Sequence, residues 1–226
     1  MRETIERITM QEANARLDLG DLGLEQHYLG PSRYRGDFAL SNAARSAIAV
    51  FRPPIAASFN RALASPLELS RLLGTIDRPA QLSGFVSAAL KWIKRDRPEC
   101  SCVIAYTDPG ASNSVTGLAH SGVVYRGSNF VDCGLAPASE PHWVTHNSGE
   151  RVNRQSVYRL LGTASRERVA AARPDWQYVP GTPKRLFIYP MAMTVPDVLA
   201  SLAAVPRSGR TRPFAFAVVP PYRPWE

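Results

Sequence analysis

Between Tyr106 and Phe130 the chain gathers a phenol, a carboxylate, an imidazole and a second phenol: Tyr106, Asp108, His120 and Tyr125. Asn129 closes the stretch. An imidazole has an ordinary pKa of about 6.5, so His120 has the chemistry of a general base at neutral pH. A carboxylate such as Asp108 can orient that imidazole or bind an exocyclic amine. Phenols such as Tyr106 and Tyr125 can stack on a planar ring or donate a hydrogen bond to it. Asn129 carries the donor and acceptor of a two-point contact. Each type also has an ordinary reading. His120 can cap a helix, Asp108 before Pro109 can start a turn, and the tyrosines can fill a core. An Asn such as Asn129 is a common helix stop.

Other reactive types lie outside this window. His27 and Tyr28 sit in a loop, where histidine and aromatic residues more often serve binding. His27, His120 and Asp108 also make up the two-histidine, one-carboxylate set that suits non-haem Fe(II). His142 and His146 are four apart in a polar stretch, a weak basis for a shared metal. Cys100 and Cys102 alternate with Ser101 along a strand, which puts both thiols on one face. There is no Cys-x-x-Cys pair, so zinc is not expected.

The elements around these residues follow from periodicity. Cys100 to Tyr106 reads as a buried strand, Pro109 to Thr116 as a loop of turn formers, and His120 as the start of a short helix. That helix is expected to turn Val123, Val124 and Gly127 inward. Residues 80–96 are the clearest helix, with Leu82, Phe85, Val86, Ala89, Leu90 and Ile93 on one face. Thr9 and Glu12 cap a helix over 8–18. A hairpin is expected from Phe38-Ala39-Leu40 and Ser46 to Phe51, around Ser41-Asn42, and a strand from Leu67 to Leu73. Residues 142–162 read as an inserted hairpin or long loop, Ser165 to Arg173 as a short basic helix, and Arg185 to Tyr189 as a strand. Thr194 caps a last helix, Val198 to Ala204, ahead of a Pro/Arg-rich tail. This alternation predicts an α/β (α+β) fold, a mixed central sheet flanked by helices.

The window also carries a resemblance. It is similar to the Mom DNA-modification proteins of bacteriophages, whose pattern runs Tyr-x-Asp, a short loop, then His-x-Gly-x-x-Tyr-x-x-x-Asn-Phe/Trp. The matching residues are Tyr106, Asp108, His120, Gly122, Tyr125, Asn129 and Phe130, with echoes at His27 to Gly30 and Leu67 to Leu72. The resemblance covers roughly residues 5–135 and the strand around Lys184 to Pro190. It implies a GNAT-like acyltransferase fold; the basic insert and the C-terminal extension are read from the residues alone and lie outside the resemblance. The expected division is a catalytic domain over 1–190, including the insert at 140–180, and a C-terminal helix and tail over 191–226. The GNAT loop motif, Gln/Arg-x-x-Gly-x-Gly/Ala, is matched only in its first half by Gln81 and Gly84, and the apolar period puts Gly84 inside the helix. Asp77 and Pro79 stand where free backbone N–H groups would cradle a pyrophosphate.

What the resemblance implies is an enzyme that turns adenine in duplex DNA into N6-(carbamoylmethyl)adenine, shielding phage DNA from restriction. The base lies inside the stack and must be flipped out. The expected catalytic residues are His120, Asp108, Tyr106 and His27. Tyr28, Tyr125, Asn129, Ser121 and Gly122 are expected to contact the base, and Arg33, Arg35, Arg151, Arg154 and Arg159 the phosphates. The two-carbon donor is either glycyl-tRNA or acetyl-CoA, with Fe(II) as a further candidate cofactor. An ordinary GNAT acetyltransferase acting on a small amine or a protein, and a non-catalytic DNA-binding module, are the alternatives.

Bulk properties agree with a nucleic-acid partner. The 226 residues carry a formal charge of +8, chiefly from arginine, whose planar fork suits phosphate. Arginines interleave with aromatic residues at Arg33-Tyr34-Arg35, Tyr158-Arg159 and Tyr222-Arg223. Apolar residues make up 45%, too many for disorder, and no run approaches a membrane span. Three cysteines and the lack of an apolar signal core at the start point to the cytoplasm of a phage-infected or prophage-carrying bacterium. Double-stranded DNA is the expected partner, tRNA a second one, and a dimer is compatible with the chain.

Overall fold

The computed structural model describes residues 4–19, 32, 36–74, 81–107, 121–138, 142–145, 151–152, 154–181 and 183–205. Its frame is a seven-stranded sheet built from β1 (Ile5–Ile8), β2 (Phe38–Asn42), β3 (Ala47–Arg52), β4 (Leu67–Gly74), β5 (Cys102–Thr107), β6 (Val131–Ala138) and β10 (Pro183–Pro190), in the order β1-β2-β3-β4-β5-β10-β6. Every neighbouring pair is antiparallel except β4 and β5. The mixed sheet expected from the alternation is therefore present. β10 re-enters it between β5 and β6, and β1 and β6 are strands that the sequence did not announce.

Successive strand residues face opposite sides of the sheet, and the apolar residues sort accordingly. On one face lie α3 (Gln81–Asp96) and the one-turn α4 (Val123–Gly127). Here Phe85, Val86, Ala89, Leu90 and Ile93 of α3 pack on Phe38, Phe51, Val103, Ala105 and Phe187. On the other face α1 (Met10–Leu19) covers Ala39, Ile48, Val50 and Leu73 with Ala13 and Leu17. Beside it α2 (Ala57–Ala62) and α7 (Val195–Ala204) cover Cys102, Ile104, Leu186 and Ile188. Val195, Val198 and Leu202 of α7 are part of this core.

Both caps read from sequence form: Glu12 N–H donates to Thr9 Oγ1 at 3.1 Å and Asp197 N–H to Thr194 Oγ1 at 3.3 Å. Cys100 and Cys102 do not share a face. β5 starts only at Cys102, so Cys100 packs on the α3 side and Cys102 on the α7 side. Burial pushes the Cys100 thiol up to about 11 and those of Cys102 and Cys133 to about 12, which makes all three unreactive near neutral pH. No described helix is long and apolar enough to cross a membrane.

The insert is more ordered than a loop. β7 (His142–Thr145), β8 (Arg151–Val152) and β9 (Trp176–Val179) form a small sheet in the order β8-β7-β9, accompanied by α5 (Arg154–Leu161) and α6 (Arg166–Ala172). Trp143, Val157, Val169 and Trp176 give this lobe a core of its own.

Gly84 lies inside α3, and a Cβ built there meets nothing within 4 Å. Gly84→Ala is therefore expected to stabilise the chain by about 0.5–1 kcal/mol. It should leave activity intact, because no ligand is read as approaching that backbone. Thermal denaturation beside a modification assay checks both points.

Candidate active site at the parting of two central strands

β4 and β5 pair only at Leu67 with Val103, Glu68 with Ile104 and Leu69 with Ala105. Beyond that point β4 runs on to Gly74 and β5 to Thr107 without pairing to each other. The register of β4 against β3 shifts there too. Phe51 stands opposite Leu69 and Val50 opposite Arg71, which leaves Ser70 as a bulge with its hydroxyl donating to the Val50 carbonyl at 3.1 Å. Bulges bend strands and re-aim side chains, and they concentrate near active sites. The carboxyl end of a central strand beside such a gap is where open α/β sheets place ligands.

The parting is lined by polar side chains on the α1/α7 face, between its two apolar clusters. Glu68 and Arg52 form an ion pair at 2.6 Å, with side chains 11% and 7% exposed. Glu68 also accepts from the Ile55 N–H at 3.3 Å. Arg71 is buried and donates to the Ser70 carbonyl at 2.8 Å. Half-buried Tyr106 projects to the same side. Burial, and secondarily the negative charge of Glu68, hold its phenol well above the usual tyrosine range. Tyr106 is therefore a hydrogen-bond donor at neutral pH rather than a base. Its hydroxyl has no hydrogen-bond partner among the described residues.

The opposite face holds the far end of the 108–120 loop. Gly122 adopts φ +79° at the start of α4 and presses on the ends of β5 and β10. A Cβ there would lie 2.7 Å from Phe187 Cε2 and 3.1 Å from Thr107 Cγ2. One contact thus brings together the two described ends of the segment that carries Asp108 and His120. Just beyond, Asp132 accepts from Arg185 Nε at 2.8 Å and lies 3.4 Å from Arg126 Nη1. Two guanidinium groups around one carboxylate leave a net positive rim.

The expected site residues divide as follows. His27, Tyr28, Arg33, Arg35, Asp108 and His120 lie outside the described residues, and so does the candidate Fe(II) set drawn from them. Among the described residues, no group of three or more His, Cys, Asp or Glu side chains could hold a metal. Tyr106 stands at the parting, and Ser121 and Gly122 stand at the loop's end. Arg151 and Arg154 fall on β8 and α5, and Arg159 is exposed on α5.

Tyr106 and Tyr125 do not line one pocket. Tyr106 faces the α7 side, whereas Tyr125 is 3% exposed on the α3 side, with ring centroids 5.5 Å from Phe130 and 5.3 Å from Phe187. Base stacking by Tyr125 therefore gives way to core packing. The inward face expected for α4 is corrected in part: Val123 is 66% exposed and Tyr125 docks the helix, while Val124 packs on the core and Gly127 lies against Ser83 of α3.

Asn129 has φ +64° and is exposed. The Phe130 N–H donates to the Tyr125 carbonyl at 3.0 Å and the Asn129 N–H to the Arg126 carbonyl at 3.1 Å. These are the two bonds of a Schellman cap, and the Tyr125–Phe130 contact is its apolar seal. The fixed Asn of the pattern is a helix terminator in this fold. Asn129→Gly should be neutral in stability, and Asn129→Val should cost about 1–2 kcal/mol through left-handed strain. Urea unfolding of the two variants separates them.

Sequence reasoning missed Arg52, Glu68, Arg71 and Asp132. The signal for Glu68 and Arg71 was a strand pattern, Leu-Glu-Leu-Ser-Arg-Leu-Leu, whose polar side reads most simply as solvent-facing. A cleft between Pro53, Leu63, Pro66 and Cys100 opens at the amino ends of β4 and β5, away from this chemistry, and is not part of the site.

No curated protein matches the chain. The structure is similar to the ribosomal-protein-S18-alanine N-acetyltransferase from Escherichia coli, at 11% identity and a TM-score of 0.41, covering 85% of this chain and 96% of that one; a likeness this slight carries no argument. The model of the Mom protein family matches residues 53–190. That span includes the small lobe, which the resemblance read from sequence left out, and it begins after His27 and Tyr28. The match supports a DNA-modifying transferase in broad terms. It takes in more than half of the 226 residues, and the chain belongs to the Mom protein family.

Proposed function

We propose that this chain flips an adenine out of duplex DNA and converts it to N6-(carbamoylmethyl)adenine at the parting of β4 and β5. The observation that carries the reading is the pairing of two features at the carboxyl end of β5. One is the gap flanked by Tyr106, whose hydroxyl has no hydrogen-bond partner among the described residues. The other is the contact of Gly122 with Phe187 and Thr107, which brings together the described ends of the segment bearing Asp108 and His120. In this reading His120 or Asp108 takes a proton from the exocyclic amine as it attacks, and Tyr106 donates a hydrogen bond to the base or the acyl oxygen. Tyr28 and His27 complete the set from the first loop.

The donor we favour is an activated glycine, as in glycyl-tRNA. The adenine N6 attacks the glycyl carbonyl and tRNA leaves from the ester with a proton. The new amide carries a free amino group. That amine attacks ring carbon C6, closing a five-membered spiro intermediate, and the bond from C6 to the original nitrogen then breaks. The product is the carbamoylmethyl isomer of the first adduct, with no atom gained or lost in the second step. Acetyl-CoA would instead require activation of its methyl carbon. The start of α3 weakens that route, because Gly84 lies exposed within the helix where a pyrophosphate loop would need a turn.

The test is reconstitution of the purified chain with duplex DNA and either labelled glycyl-tRNA or labelled acetyl-CoA. Label in DNA from glycyl-tRNA alone is expected. Label from acetyl-CoA alone would overturn the donor assignment. Acetylation of proteins or small amines without DNA labelling would favour an ordinary acetyltransferase.

A further inference from the structure

The small lobe is placed by strand register. Thr107, the last residue of β5, stands opposite Arg185 of β10, and Arg185 stands opposite Leu135 of β6. The pair Pro183–Ala138 follows, and both strands then leave the main sheet to become the lobe. At about 3.3 Å per strand residue, the lobe begins within roughly 10 Å of the end of β5. It therefore rises from the same end of the sheet as the 108–120 loop.

Its surface is unusual in one respect. Large apolar side chains that are well exposed are few among the described residues: Ile55, Val123, Leu135, Tyr158 and Leu160. All but Ile55 lie on α4, β6 or α5, at or beyond this end of the sheet. Tyr158 and Leu160 are each 61% exposed, on the two shoulders of a helix whose crest is the exposed Arg159. Val157, at 1% exposure, holds the other side of α5 in the lobe's core. Around them the charge is basic, with six arginines against three carboxylates between residues 142 and 181. Some of these arginines serve the lobe itself. Arg166 lies 4.4 Å over the Tyr178 ring, and Arg173 lies 4.4 Å over Trp176 while gripping Asp175 at 2.7 Å.

Resting on the base-flipping reading above, we propose that α5 is a duplex wedge: Tyr158 or Leu160 enters the base stack beside the target adenine while Arg159 contacts phosphate. Apolar side chains that part base steps while cations hold the backbone are an established way to deform duplex DNA. An extruded base leaves a gap in the stack that an aromatic or aliphatic side chain fills. Charge favours DNA over a second protein copy, because a basic surface facing its own image would repel.

The experiment uses the full chain and a pool of duplexes with 2-aminopurine flanked by randomised base pairs. Binding of the unaltered chain is expected to raise 2-aminopurine fluorescence several-fold. The double variant Tyr158→Ala/Leu160→Ala should abolish most of that rise while changing duplex affinity by no more than about 3-fold. Arg159→Ala should weaken binding and reduce its salt slope by about one. An abasic site opposite the probe lowers the cost of unstacking, and there the double variant should match the unaltered chain. A fluorescence rise that survives the double variant, or a defect equally large opposite the abasic site, overturns the wedge. So does a double variant that turns a dimer into a monomer in sedimentation while its DNA response is unchanged, or an unaltered chain that produces no rise. Nucleoside analysis keeps the two readings apart. Adenine modification without any wedge effect sinks only the wedge, and a wedge effect without modification sinks only the chemistry.

Discussion

Glu68→Ala is expected to destabilise the fold by about 3–5 kcal/mol, because it removes the carboxylate that pairs with the buried guanidinium of Arg52. Burying an ion pair is itself close to neutral, since desolvation offsets most of the attraction. The loss comes from breaking the pair rather than from the worth of the pair. The double variant Arg52→Met/Glu68→Leu should therefore recover most of the stability lost by the single change. Urea denaturation of the chain and the two variants measures this directly. A single variant within about 1 kcal/mol of the parent would mean that water reaches Glu68 more freely than its 11% exposure implies.

Gly122→Ala should be the more informative lesion. Left-handed backbone costs an alanine about 1–2 kcal/mol, and a methyl driven into a packed ring about 1–3 more. The contact with Phe187 and Thr107 that it would break is the one that brings together the described ends of the segment carrying Asp108 and His120. Since displacements of about 1 Å cost on the order of 100-fold in rate, modification should fall far more than stability does. Gly162→Ala supplies the stability control. Gly162 also has positive φ, at +66°, but an added Cβ there meets nothing within 4 Å. It should show the strain cost alone. Equal destabilisation by both variants would mean that the Phe187 ring yields to the methyl and that the contact is weak.

The main sheet was legible where a strand is a short apolar run buried on both faces, as in β3 and β5, or where a helix has a full apolar stripe. The α3 stripe from Leu82 to Ile93 fixed that helix, and the Thr9 and Thr194 caps fixed two more starts. Edge strands were not legible. β1 is four residues long with a partly exposed pattern, and β6 carries Asp132, Gly134 and Pro137. Neither alternates cleanly, and both are held by their neighbours rather than by their own pattern. Within the site, the window from Tyr106 to Phe130 was the right place, but its periodicity misled over α4. A helix of five residues has no stripe to read, and its docking depends on Gly122 touching Phe187, some 65 positions away in the chain.

The polar lining was hidden for another reason. Alternation along β4 separates Leu67 and Leu69 from Glu68 and Ser70, and only the bulge at Ser70 turns Arg71 to Glu68's side; the pattern does not say whether that face meets water or a groove between helices. Only the placement of α1, α2 and α7 decides that. Tyr106 and Tyr125 likewise look equivalent in sequence, and only the parity of β5 puts them on opposite sides. The fixed Asn129 has a complete account in backbone geometry, so its place in the motif requires no contact with a base.

The central claim is that adenine in DNA leaves this protein chemically altered. The most direct measurement is mass spectrometry of nucleosides from the DNA of bacteria expressing the chain, beside cells expressing His120→Ala. The account predicts a deoxyadenosine species heavier by one glycyl residue, present with the unaltered chain and lost with the variant. Unmodified adenine in both, from cells in which the folded chain is abundant, would contradict it.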